Sequence, residues 1–122
     1  MSKDAYYFKH DAHARHDPKI RALINKYGLD GYGKFWVIIE MLREETTYKL
    51  QDEPYIWEAL AEQMKCTVLD AHQFINDCAK DFKLLIWEDG FFYSAALLER
   101  MVKLDDIRQK RVRAGKDSWN NR

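Results

Sequence analysis

The chain has 122 residues with 20 basic and 20 acidic side chains, so its formal net charge is zero. This length suits one domain with its own core, and 47% hydrophobic residues indicate packing rather than disorder. The polar N-terminus argues against a secretory signal, and apolar runs are too short for a membrane span. Two cysteines make a poor disulfide framework. We therefore expect a cytoplasmic protein without a membrane partner.

The zero total hides three segments of different charge. Residues 1–44 carry a net charge of +2, residues 45–94 of −6 and residues 95–122 of +4. The neutral total argues against a general nucleic-acid coat protein, which is usually basic. The segment charges indicate that an anionic partner would contact the ends of the chain rather than its middle.

An arm and a short helix are predicted first. Residues 1–17 are interpreted as an N-terminal arm that packs on the body. Asp17 as N-cap and Pro18 at the first helical position indicate a helix start. Apolar residues recur with a helical period over 18–27, and Gly28 is expected to end this helix.

Two more helices are expected after a turn at residues 30–33. The segment 33–46 is apolar on most sides, which predicts a central helix. Glu40 interrupts its apolar run and is interpreted as part of the solvent-facing stripe. A polar connection over 47–54 then leads to a third helix over 56–64.

A fourth helix is predicted over residues 68–82. Thr67, followed three residues later by Asp70, resembles a capping box that would begin it. The short turn at 65–66 separates this helix from the third one. The pair of helices with its tight turn has the organisation of a helix-turn-helix.

The period then changes from helical to extended. Asp89 and Gly90 lie between two apolar runs, which is a strong hairpin signal. Ser94 can cap a last helix over 95–114, and residues 115–122 are expected to be a frayed tail or a linker. A helix-turn-helix followed by a hairpin predicts a mainly α, winged helix-turn-helix domain over residues 5–114.

Several motifs resemble a known family, the N-terminal domain of phage and prophage replisome organisers. This DnaD-like replication-initiation family is often described as a domain of unknown function. The resemblance covers nearly all of residues 5–113. Its front motif consists of His10-Asp11, Asp17, Ile20, Tyr27-Gly28, Gly31-Tyr32-Gly33, Trp36 and Glu40. The resemblance implies a replication-associated winged helix without catalytic residues, and a chain that continues into a further C-terminal region.

The predicted fourth helix is a poor candidate for DNA readout. Its outward face is expected to carry Asp70, Gln73, Asn76, Asp77, Lys80 and Asp81. This face carries three acids and one lysine, and Glu88-Asp89 lie at the hairpin tip. These negative charges would repel the phosphates of DNA. We expect a solvated acidic face here.

A basic cluster near the C-terminus is the better candidate. Its DNA-binding residues are predicted to be Arg108, Lys110, Arg111 and Arg113, with Lys19, Arg21 and Lys26 of the first helix in support. Such a cluster can follow a DNA backbone without reading sequence. The alternative is a solubilising terminal helix, because basic terminal helices are common.

Metal binding, catalysis and self-association are the other candidate functions. His10, His13 and His16 recur every three residues, but no second cluster supplies further metal ligands, so we expect no metal or cofactor. Catalytic motifs are missing, which predicts a non-enzymatic protein. The aromatic residues Tyr6, Tyr7, Trp57, Trp87, Phe91 and Tyr93 either complete the core or form a patch for self-association.

The sequence thus favours a replication-initiation module that engages DNA through basic terminal residues and helps to assemble other replication proteins. The alternative is an oligomerisation or recruitment module with the same fold and no direct DNA contact.

Overall fold

The computed structural model describes residues 13–120, with side chains described up to residue 114. The elements are a 3-10 turn (Ala14–His16), α1 (Pro18–Glu44), β1 (Leu50–Gln51), α2 (Pro54–Met64), α3 (Val68–Lys80), β2 (Ile86–Glu88), β3 (Phe91–Tyr93) and α4 (Ala95–Asn120). This part of the chain is mainly helical with one small antiparallel sheet, which confirms the prediction of a mainly α domain with a small β element.

A sharp kink at Gly28 divides α1. Its backbone dihedrals, φ 74° and ψ −165°, interrupt the helix where its end was predicted. The helix resumes at once, so the prediction of a turn at residues 30–33 is wrong. Gly31 lies buried there, against Tyr27 and Phe74. The glycines of this segment favoured a turn in the sequence analysis. Gly31 instead lies within a helix, where close packing against neighbouring side chains requires a small residue although glycine is a poor helix former.

Side-chain caps begin α1 and α3 at the predicted places. Asp17 accepts a hydrogen bond from the backbone N–H of Lys19 at 2.8 Å. Thr67 Oγ1 accepts from the N–H of Asp70 at 3.0 Å. α2 begins two residues earlier than predicted, at Pro54, because proline fits the first turn of a helix. These caps confirm the predicted starts of α1 and α3.

The sheet has three strands in the order β1-β3-β2. The predicted hairpin is present, and positive φ values at Asp89 (55°) and Gly90 (78°) suit its tight two-residue turn. β1 was not predicted, because two residues within a polar connection show no period. Its Leu50 pairs with Phe92 of β3, and both side chains are fully buried.

The core lies between the helices and the inner face of the sheet. Its most completely buried large side chains are Leu23, Ile38, Leu42, Leu50, Leu60, Ile75, Phe92 and Met101. Ser94 Oγ accepts from the N–H of Leu97 at 3.2 Å, so the predicted cap of α4 is confirmed. α4 then runs to Asn120 rather than ending near Ala114.

The two glycines after the kink allow a test of this packing. A Cβ at Gly31 would overlap the Cβ of Tyr27, whereas a Cβ at Gly33 would meet open space. We expect Gly31→Ala to lower the free energy of unfolding by about 1–3 kcal/mol through overpacking. Gly33→Ala should raise it by about 0.5–1 kcal/mol, because alanine is the better helix former. Urea unfolding of both variants would contradict this account if the two changes had the same sign.

Candidate nucleic-acid interface

α4 is anchored to the body about halfway along its length. The hydroxyl of Tyr48 donates to the Asp105 carboxylate at 3.0 Å. Burial, and then the bond to Asp105, raise the pKa of Tyr48, which keeps this hydroxyl protonated as a donor. The guanidinium of Arg43 lies 5.8 Å from the centroid of the Tyr48 ring, a cation–π contact. Tyr48 therefore sets the position of α4 just before its basic residues.

The basic segment of α4, Arg108 to Arg113, follows this anchor. Arg108 lies 3.6 Å from the Asp105 carboxylate, and Lys110 lies 3.1 Å from that of Asp106. Arg111 and Arg113 are exposed, and within the described residues no carboxylate partner is found for them. At about 100° per residue, the four charges surround the helix instead of sharing one face. The predicted cluster therefore exists as a solvated basic helix whose first two charges are partly neutralised.

Two of the three supporting residues of α1, Lys19 and Lys26, make their contacts away from this segment. Lys19 Nζ lies 3.4 Å from the backbone carbonyl of Lys83, and both residues line a recess beside the first turns of α4. Arg100 lines the same recess. Arg111 follows it by eleven positions, which is about 16 Å along the helix axis. Arg21 is exposed on α1. The prediction of one joint phosphate-binding cluster does not match this arrangement.

Lys26 instead forms an ion pair with a buried carboxylate. Its Nζ lies 2.9 Å from Asp77 Oδ2 and 3.9 Å from Asp81 Oδ2. The hydrogen bond with Asp77 raises the pKa of Lys26, so the ammonium form is favoured. Its charge is directed at α3, which makes Lys26 the weakest of the predicted phosphate contacts.

Asp77 was expected on the outward face of α3, and that prediction is wrong. Its side chain is only 4% exposed. Oδ2 accepts from the Tyr27 hydroxyl as well as from Lys26, and Oδ1 accepts from Gln73 Nε2 at 2.9 Å. Burial opposes the charged form, but the hydrogen bonds from Tyr27 and Lys26 outweigh it and lower the pKa of Asp77. Sequence periodicity placed Asp77 among polar neighbours, and only its partners on α1 explain why it is buried.

α3 therefore has two unlike polar edges. Asp70, Asp77 and Asp81 share the edge that faces α1, as helical geometry requires for residues spaced seven and four apart. His72, Asn76 and Lys80 share the other edge, which faces β2. Of the acidic residues that argued against contact with phosphate, those of α3 all belong to the first edge, and Glu88 and Asp89 lie at the hairpin tip.

An aromatic cluster joins α2, α3 and the sheet. Trp57 is buried and lies 4.8 Å from the His72 ring and 5.4 Å from the Trp87 ring, measured between centroids. The Asp52 carboxylate accepts from the indole N–H of Trp57 at 2.7 Å and from that of Trp87 at 3.1 Å. The core interpretation is confirmed for Trp57, whereas Trp87 is half-buried and still meets solvent. Tyr6 and Tyr7 lie outside the described residues.

His72 and Asp52 were not recognised as members of this cluster. Neither belongs to a recognisable motif, and the partners of His72 come from two other elements.

The histidine motif is only partly within the described residues. The rings of His13 and His16 are 5.9 Å apart, and His10 lies outside the described part. Among residues 13–114, no group of three or more His, Cys, Asp or Glu side chains is arranged to hold a metal ion. Burial raises the pKa of the Cys78 thiol to about 12 and that of Cys66 to a lesser extent, so both thiols are protonated at neutral pH.

Residues 7–97 match the family described as Lin1244/Lin1753-like, N-terminal. The match spans about three quarters of the chain, and the protein belongs to this family. No curated protein and no solved structure matches the chain. Within the described residues, none of the helices combines the length and the apolar character needed to cross a membrane.

The buried Asp77 carboxylate should contribute measurably to stability. We expect Asp77→Asn to lower the free energy of unfolding by about 2 kcal/mol, because hydrogen bonds to a charged group are lost in a buried site. Asp81→Asn is the matched control on the same helix. Its side chain is 59% exposed, and its distance to Lys26 is longer, so we expect a change below about 0.5 kcal/mol. Equal effects in chemical denaturation would contradict the assigned role of Asp77.

The same site predicts a pH dependence. The pKa of Asp77 is lowered by folding, so its stabilising contribution is present above the ordinary aspartate value near 3.8 and is lost as the pH falls through the folded-state value. The stability difference between the native sequence and Asp77→Asn should therefore be constant from about pH 5 to 7 and shrink below about pH 4. Urea unfolding across this range checks it, and a difference that grows in acid would refute it.

Proposed function

We propose that this domain is a non-enzymatic DNA-binding module of the phage replication-initiation type, with a winged-helix fold. The basic segment of α4 would engage the phosphate backbone, and other replication proteins would assemble on the same domain. The family match names no activity, so the proposal depends on the architecture and the charges.

The element order supports the winged-helix interpretation. α2 and α3 are joined by a tight turn at Lys65, whose left-handed conformation (φ 56°) ends α2. The hairpin β2–β3 follows α3 directly and would be the wing, and β1 adds a third strand beside β3. In winged helices, this arrangement places a helix and a hairpin together on a surface that can face nucleic acid.

One observation carries the proposal: α4 continues beyond its anchor at Asp105 as a solvated helix with Arg111 and Arg113 exposed. Among the side chains of this helix that are described, up to residue 114, Met101 is the last that is fully buried, and Leu104 is half-buried. A solvated helix whose basic side chains point in several directions is suited to nonspecific contact with phosphate. Contacts of this kind position a protein on DNA without selecting a sequence.

Fluorescence anisotropy with a labelled generic duplex tests the role of α4. Each phosphate contact contributes about 0.9 to the slope of log affinity against log salt. We expect Arg111→Gln/Arg113→Gln to reduce this slope by about 2, whereas Arg108→Gln/Lys110→Gln should have a smaller effect because carboxylates already neutralise those charges. A double variant outside the basic segment, Lys65→Asn/Lys103→Gln, is the matched charge control. An unchanged slope in Arg111→Gln/Arg113→Gln would reject DNA contact by α4.

A second candidate function is self-association through the same helix. Val102, Ile107 and Val112 of α4 are 55%, 44% and 58% exposed. They are spaced five positions apart and so lie on different sides of α4, but each leaves an aliphatic side chain available to a partner. Sedimentation of the chain over a range of concentrations separates the two functions. A concentration-dependent dimer, without duplex binding at low salt, would support the recruitment module instead.

A further inference from the structure

An open groove lies between α3 and β2, on the side of α3 away from Asp77. It has a volume of about 650 Å³ and is lined by His72, Asn76, Lys80, Lys83 and Trp87, among others. This volume falls within the range of about 300–1,000 Å³ that is typical of sites for small organic groups. The groove is therefore large enough for part of a nucleic-acid strand.

The charges of the groove favour an anion. Two lysines, Lys80 and Lys83, line it, and none of its lining residues is acidic. The neighbouring carboxylates of α3 face the other way, because Asp77 is paired with Lys26 and Asp81 lies 3.9 Å from the same ammonium.

The groove also offers a fixed aromatic surface. The Trp87 indole donates to Asp52 at 3.1 Å, and its ring lies 5.4 Å from Trp57 and 5.1 Å from His72. These contacts hold the half-buried ring in place, so little conformational entropy is lost when a planar group stacks on it. Asn76 supplies an amide that can donate to and accept from a base edge.

We propose that this groove binds a short segment of single-stranded nucleic acid. Lys80 and Lys83 contact successive phosphates, and a base stacks on Trp87 beside His72. Lysines along a groove, combined with an aromatic platform, match the chemistry of an unpaired strand, since a duplex hides the faces of its bases. The inference goes beyond the proposed contact by α4 and does not require it, because the groove uses different residues.

The test uses the full chain and an oligothymidylate of about 12 nucleotides as the probe. We expect Lys80→Gln/Lys83→Gln to weaken its binding about tenfold at low salt and to reduce the salt slope by about 1.4, as loss of two single-strand contacts requires. The matched control, Lys65→Asn/Lys103→Gln, removes the same charge elsewhere and should bind like the native sequence. Thermal unfolding monitored by circular dichroism establishes that both variants are folded.

A second measurement locates the bound strand. In an NMR titration with the same oligonucleotide, the indole N–H signal of Trp87 and the backbone signals of His72, Asn76 and Lys83 should shift together. An unpaired strand should compete for these shifts better than a duplex of equal length. The proposal is overturned if Lys80→Gln/Lys83→Gln and its control bind the oligonucleotide with equal affinity. It is also overturned if the NMR shifts are confined to α4, or if the duplex competes better than the unpaired strand. Arg111→Gln/Arg113→Gln should leave the shifts in the groove intact, so failure of the α4 proposal is separable from failure of this one.

Discussion

The buried carboxylate of Asp77 is the constraint on which the arrangement of charge in this domain depends. It joins α3 to the end of the first half of α1, where Lys26 and Tyr27 lie just before the kink at Gly28. A buried aspartate without donors would be costly, so the donors of α1 and the helix α3 must keep their relative positions. The kink contributes to this geometry, because it positions Tyr27 against α3. The centroid of the Tyr27 ring lies 5.0 Å from that of Phe74, and the Tyr27 side chain leaves room only for a glycine at position 31.

This constraint separates the charges of α3. The acidic edge of the helix is directed toward α1, where Lys26 offsets part of its charge. The opposite edge is left to His72, Asn76 and Lys80, which meet the half-buried Trp87 across the groove. A segment with a net charge of −6 therefore presents a basic and aromatic surface on one side. Net charge per segment describes long-range attraction, but the contacts available to a ligand are decided by the pairing of individual side chains.

A second pairing positions α4. The bond between Tyr48 and Asp105 holds this helix at the end of the body, and the residues beyond it are exposed. The same region carries arginines suited to phosphate and aliphatic side chains suited to a partner helix. The two proposed surfaces, the groove and the basic segment, lie on different elements. A protein that engages DNA at both could hold an unpaired strand and a duplex together. The match to the Lin1244/Lin1753-like family covers residues 7–97, which include the groove but not the basic segment of α4, and its description names no activity.

Local sequence determined the helix caps at Asp17, Thr67 and Ser94, the hairpin turn at Asp89-Gly90 and the exposed position of Glu40, because each depends on neighbours a few residues away. It also located the basic segment of α4. Only the tertiary structure decided that Gly31 lies in a helix, that β1 exists and that Asp77 is buried, since each depends on partners distant in the sequence. Periodicity can place a polar residue on a face, but it cannot identify the lysine and the tyrosine, 51 and 50 residues away, that make its burial favourable.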